Sequence, residues 1–107
     1  MNLAIFKIYP APGNAPAVLD VLESMRTSLA SVIGCLDCSV AFETGEDGAI
    51  VYTEHWQSGE ALREHLRSHI FLRVLEAMEF SRCAPKIMFF DVLEVGGMEQ
   101  IEMVRGG

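Results

Sequence analysis

Basic residues are scarce in this chain: 8 Lys and Arg stand against 15 Asp and Glu, a formal net charge of −7 over 107 residues. Such a balance repels phosphate backbones and anionic lipid headgroups, so neither nucleic acid nor a membrane surface is an expected partner. Long apolar runs are also missing; none approaches the ~20 residues a membrane-spanning helix requires. Positions 1–10 alternate like a strand and lack the basic region and cleavage site of a secretory leader, which makes the expected location cytoplasmic. Cysteine is sparse and odd in number, with Cys35, Cys38 and Cys83. That set does not make a disulfide framework and reads as reduced thiols. No Gly-rich phosphate loop, dinucleotide fingerprint or Gly-x-Ser-x-Gly elbow occurs, so flavin and nicotinamide are not implied.

Apolar residues, by contrast, are in surplus. They make up 50% of the chain, and the mean hydropathy is +0.27. A chain of this size forms one domain that buries roughly two-thirds of its unfolded surface, too little to hide every Met, Phe, Leu and Ile present. An interface with a second copy is the expected place for the excess.

Residues 3–9 are β-branched and aromatic, and Pro10-Ala11-Pro12-Gly13 stops them, which predicts a strand and a turn. Asn14 and Pro16 suit a helix start, and Val18, Leu22, Met25, Leu29 and Val32 form one apolar stripe that predicts a helix ending near Ile33 at Gly34. Two strands follow at Cys38–Glu43 and Ala49–Trp56, joined by a hairpin loop over 44–48. Ser58 caps a second helix whose apolar face is Leu62, Leu66, Ile70, Val74 and Met78, with a break near Arg67–His69. Lys86–Val95 reads as a last strand, and 98–107 as a tail able to pair as a short extra one.

The order strand, helix, strand, strand, helix, strand is the ferredoxin-like α+β pattern: a four-stranded antiparallel sheet with two helices on one face. The other face is apolar enough to demand cover. Two such sheets packed face to face would give a dimeric α/β barrel.

Glu54-x-Trp56, Ser58, Ala61-Leu62, His65-Leu66, Ser68 and Phe71, with the Gly34-Cys35-Leu36 turn before them, resemble the antibiotic biosynthesis monooxygenase family. The resemblance implies a homodimer with a pocket between helices and sheet in each subunit. It also implies cofactor-independent oxidation of quinol-like or polyphenolic aromatics by O₂, with no metal. Two positions depart from that pattern. Leu75 stands where the heme-degrading branch carries its histidine iron ligand, and Ala4, Phe6 and Ile8 fill the first strand, leaving Asn2 as its only Asn.

The resemblance nominates His65 as the catalytic base, a role open to an imidazole because it titrates near neutrality; the competing reading is a hydrogen-bonded histidine at the core edge. Trp56, Phe71 and Met78 can wall a largely apolar pocket, although strand-end and helical positions of this kind also serve the core. Tyr52 and Glu54 share a strand face with Trp56, and a buried Glu54 must meet His65, an Arg or solvent. His65 and His69 lie four apart but lack further ligands, and Cys35-x-x-Cys38 follows a helix where a redox dithiol would precede one. The expected function is a cofactor-free monooxygenase acting on a small aromatic. The alternatives are a non-catalytic dimeric binding module and a cofactor-free isomerase on the same barrel.

Overall fold

A computed structural model describes residues 1–45 and 48–106. In chain order it contains β1 (Asn2–Ile8), α1 (Ala15–Leu29), β2 (Cys35–Phe42), β3 (Ile50–Trp56), α2 (Gly59–Arg67), α3 (Leu72–Glu79), β4 (Lys86–Asp91) and α4 (Met98–Gly106). The strands form one antiparallel sheet in the order β2-β3-β1-β4. This is the ferredoxin-like α+β arrangement expected. Glu46 and Asp47, in the hairpin loop read at 44–48, lie outside the described residues.

Alternation along the strands divides the sheet cleanly. Ala4, Phe6 and Ile8 of β1 and Ile50, Tyr52, Glu54 and Trp56 of β3 point under the helices and are buried. Val18, Leu22, Met25 and Leu29 of α1, with Val74 and Ala77 of α3, close over them. Burying each of these larger side chains stabilises the fold by about 1.5–3 kcal/mol. The opposite face presents Leu3, Ile5, Val51, Thr53, His55, Met88 and Phe90, all half-buried or exposed.

Several boundaries move from the sequence reading. Asn14 takes helical φ and ψ, and its side chain makes no cap; α1 starts on a backbone turn. The helix ends at Leu29 rather than near Ile33. The next residues tighten into turns through Val32 N–H to Leu29 C=O and Cys35 N–H to Val32 C=O, which leaves Ile33 in solvent. Gly34, at φ +93°, makes the reversal, and a Cβ there would lie 2.9 Å from that of Ala61. The chain then enters β2 three residues earlier than read.

Ser58 caps α2 as expected, its hydroxyl accepting from Ala61 N–H at 3.1 Å. The second helix divides into α2 and α3. Ser68 is extended and donates its hydroxyl to the His65 carbonyl at 2.6 Å, ending α2 at the break the sequence suggested. His69 lies on the link and is exposed, so it shares no helical face with His65.

Strand β4 stops at Asp91, not Val95, because its one neighbour, β1, runs out: Asn2 pairs with Asp91, and Val92 N–H reaches Met1 C=O. Segment 98–106 is helix α4, not an added strand. Glu, Gln and Met favour helix in a stretch with no strand beside it among the described residues, and Glu99 in the first turn suits the helix dipole. No residue of α4 is buried. The Cα radius of gyration, 15.7 Å, exceeds the ~13 Å of a compact chain this long, since this arm stands off the domain.

Candidate functional site

Glu54 lies mid-strand in β3 with its side chain 0% exposed, and three groups converge on its carboxylate. Residues two before and two after it share its face, so Tyr52 and Trp56 flank it by strand geometry alone. The Tyr52 hydroxyl donates to Oε2 at 2.6 Å, and Trp56 Nε1–H donates to Oε1 at 3.0 Å. His65, three residues beyond the buried Leu62 on α2, brings Nε2 within 2.9 Å of Oε2. These partners offset a desolvation cost that would otherwise reach several kcal/mol.

Aromatic rings fix the imidazole. Trp56 stacks on it with centroids 4.7 Å apart, and Phe71, carried back toward the sheet by the break between α2 and α3, meets it edge-on at 5.3 Å. His65 is thus held in one orientation with its side chain 3% exposed.

From this pair a chain of hydrogen bonds leads outward. Cys38 is the cross-strand partner of Glu54 in β2, and its thiol donates to the Tyr52 hydroxyl at 3.4 Å. Burial, with Glu54 nearby, pushes the Cys38 thiol up to about 11, against the opposing effect of its hydrogen bond with Tyr52. Burial and then Glu54 likewise raise the Tyr52 phenol far above its ordinary value. Both groups are neutral donors near neutral pH.

A β-bulge at Leu36 shapes the next layer. Cys35 pairs with Trp56 while Asp37 pairs with His55, so Leu36 drops out of the ladder. Cys35 and Cys38, three apart, therefore share the helix-side face. Both line a cavity of about 450 Å³ between the C-terminal half of α1 and the start of β2, together with Glu23, Arg26, Leu29 and Asp37. Arg26 is ion-paired with Glu23 at 3.1 Å and donates through Nε to the Cys38 carbonyl at 3.2 Å. Burial, then Glu54, raises the Cys35 thiol as well.

The structure thus brings together Tyr52, Glu54, Trp56, His65 and Phe71 from the sequence-derived set. Met78 is half-buried on α3 and packs on the common core. The cavity is edged by charge rather than walled by aromatics, and neither His65 nor Trp56 lines it. Sequence reasoning missed Arg26 and Cys38. The hairpin register could have found Cys38, since a strand pair that sets Phe42 opposite Ile50 sets Cys38 opposite Glu54.

The fold has many solved counterparts. A protein of Deinococcus radiodurans, provisionally described as an antibiotic biosynthesis monooxygenase, superposes with a TM-score of 0.80 at 19% identity over 91% of this chain and 97% of that one. The protein Rv0793 of Mycobacterium tuberculosis matches with a TM-score of 0.78 at 23% identity, over 90% of this chain and 98% of its own. One from Pseudomonas aeruginosa reaches 25% identity with a TM-score of 0.71, over 87% and 94%. No curated protein matches the sequence. The family model for antibiotic biosynthesis monooxygenase matches residues 1–77, a span that holds β1 through most of α3 and every member of the Glu54 cluster. The chain therefore belongs to the antibiotic biosynthesis monooxygenase family.

Proposed function

We propose that this protein is a cofactor-independent monooxygenase of the cytosol that oxidises a quinol-like or polyphenolic small aromatic, working as a homodimer. The observation that carries this reading is the buried Glu54–His65 pair, oriented by ring stacking and fed from one side by the Tyr52 hydroxyl. In this reading His65 and Glu54 together form the proton acceptor, with His65 as the base.

A hydroxyarene that loses its phenolic proton becomes electron-rich enough to reduce O₂ directly. The reaction then balances without another reductant: a 1,4-quinol takes one oxygen atom at a neighbouring ring C–H and becomes the hydroxyquinone, and the second oxygen atom leaves as water. The protein's share is to accept the proton and to exclude bulk water from the anion. Trp56, Phe71, Tyr52 and Met78 form the apolar inner layer that encloses this acceptor pair.

The dimer is supported by the helix-free face of the sheet, where Leu3, Ile5, Val51, Met88 and Phe90 lie side by side. An apolar face of that extent is expected to be covered by a partner.

The test is O₂ uptake with a panel of quinols. Uptake that requires His65, with the His65→Gln variant folded and inactive, supports the enzyme. A second reading, a non-catalytic binding module, is favoured by one observation, the near-complete enclosure of Glu54 and His65. Retention of ligand with no turnover would establish it instead. Product formed without O₂ uptake would point to an isomerase.

A further inference from the structure

The sealed pair and the open cavity are separate in space, yet Cys38 belongs to both. Cys38 lines the cavity, and its Sγ is the outermost member of the hydrogen-bond chain that ends on Glu54. Every donor in that chain points the same way: thiol to phenol, phenol to carboxylate.

We propose that the cavity between α1 and β2 is the binding site for a hydroxylated aromatic, and that Cys38 and Tyr52 pass its proton inward to Glu54 and His65. The proposal rests on the monooxygenase reading above and locates its substrate.

One concerted shift balances the transfer. The ligand hydroxyl gives its proton to Cys38 Sγ while the thiol proton moves to the Tyr52 oxygen and the phenol proton moves to Glu54 Oε2. Cys38 and Tyr52 end as neutral as they began, one O–H bond of the ligand is broken, and the proton gained rests between Glu54 and His65. Nothing is oxidised in this step. The high proton affinity of both carriers suits it, because a carrier that ionised at rest would have no proton to hand on.

The cavity wall fits a ligand that becomes an anion. Arg26 contributes a guanidinium braced by Glu23 and by the Cys38 carbonyl, close enough to the thiol to favour negative charge beside it. Leu36 and Cys35 give apolar contact for a ring. The volume, about 450 Å³, falls within the range of small-ligand pockets, and the opening between α1 and β2 gives the entry that the 3%-exposed imidazole lacks.

Cys38 is in this scheme the residue that touches substrate, and Tyr52 a positioning residue that acts through it. Two measurements separate the location from the chemistry. In the first, with O₂ excluded, 1,4-dihydroxynaphthalene is added to the wild-type protein and alkylation of each cysteine by iodoacetamide is followed by mass spectrometry. Cys38 and Cys35 are expected to be protected and exposed Cys83 not, with protection lost in Arg26→Ala. Unaltered labelling of Cys38 at saturating quinol overturns the proposed site, whether or not the protein turns over.

In the second, O₂ uptake is measured across pH in H₂O and D₂O. Cys38→Ala and Tyr52→Phe are expected to lower kcat about a hundredfold with KM little changed, as for loss of a proton-transfer group. Cys38→Ser, which retains a donor and an acceptor, is expected to restore much of the rate and the solvent isotope effect. Wild-type kcat and isotope effect in a folded Cys38→Ala overturn the relay while leaving the monooxygenase reading intact. Protection of Cys38 without any O₂ uptake upholds the site and removes the monooxygenase instead.

Discussion

Glu54 and His65 meet at 2.9 Å, eleven positions apart in the chain and both removed from solvent, and the arrangement of the helix side of the sheet is centred on that contact. Taking one partner away leaves the other buried and under-satisfied. His65→Leu is therefore expected to destabilise the fold by about 3 kcal/mol, the lower end for breaking a buried pair. Glu54→Gln, which keeps an acceptor oxygen for either Tyr52 or Trp56 and turns its amide NH2 toward the other, is expected to cost less, about 1–3 kcal/mol. Urea unfolding followed by Trp56 fluorescence measures both. A His65→Leu midpoint equal to wild type would show that the contact contributes nothing to stability.

Alkaline stability follows from the two raised groups of the chain from cavity to carboxylate. Cys38, pushed up to about 11, and Tyr52, also raised, hold their protons more tightly folded than unfolded. The unfolded chain therefore ionises first as pH rises. Their contribution to stability is full below the ordinary thiol and phenol values and is lost progressively above them. The melting temperature should fall from about pH 9 to 11, with a shallower decline in Cys38→Ala. A decline of identical slope in that variant would remove Cys38 from the account.

Two glycines with nearly equal φ separate backbone strain from packing. Gly13 at φ +91° has nothing within 4 Å of a built Cβ, whereas Gly34 at φ +93° would press its Cβ to 2.9 Å from that of Ala61. Gly13→Ala is expected to cost about 1 kcal/mol, for the left-handed backbone alone. Gly34→Ala should cost a further ~1–3 kcal/mol as β2 and α2 are pushed apart. Thermal melts of the two variants, compared directly, measure the difference.

For the proposed dimer, the informative change is on the helix-free face. Ile5→Asp places a charge between Thr53 and Met88, its neighbours in the sheet, without touching the Glu54 side. Light scattering should report twice the mass of one chain for the wild type and a single chain for the variant, with far-UV circular dichroism unchanged. A wild-type protein of single-chain mass at micromolar concentration would remove the dimer.

Much of this arrangement can be read from residue order. Alternation in 50–56 gives Tyr52, Glu54 and Trp56 one face, and the requirement that a buried carboxylate find partners leads to His65. Ser58 and the drifting apolar stripe give the start of α2 and its break. The cavity is harder to read. Counting in twos sends Cys35 and Cys38 to opposite faces, and only the bulge at Leu36, which no local composition announces, returns them to the same one. The tail was ambiguous for a different reason. It reads as able to form a short extra strand, yet Met98, Ile101 and Val104, three apart, alternate between the faces of a strand and share one face of a helix, and among the described residues no strand edge lies beside them.

The bulge also settles how the two rims of the sheet differ. β2 forms one border, and the residue left out of step at Leu36 interrupts the row of amides and carbonyls that an incoming chain would have to follow. β4 forms the other, six residues with no such interruption. Growth of the sheet by addition of a foreign strand is thus discouraged on the side that carries the cavity and left to the side farthest from it, so a guest segment designed to extend this domain belongs against β4.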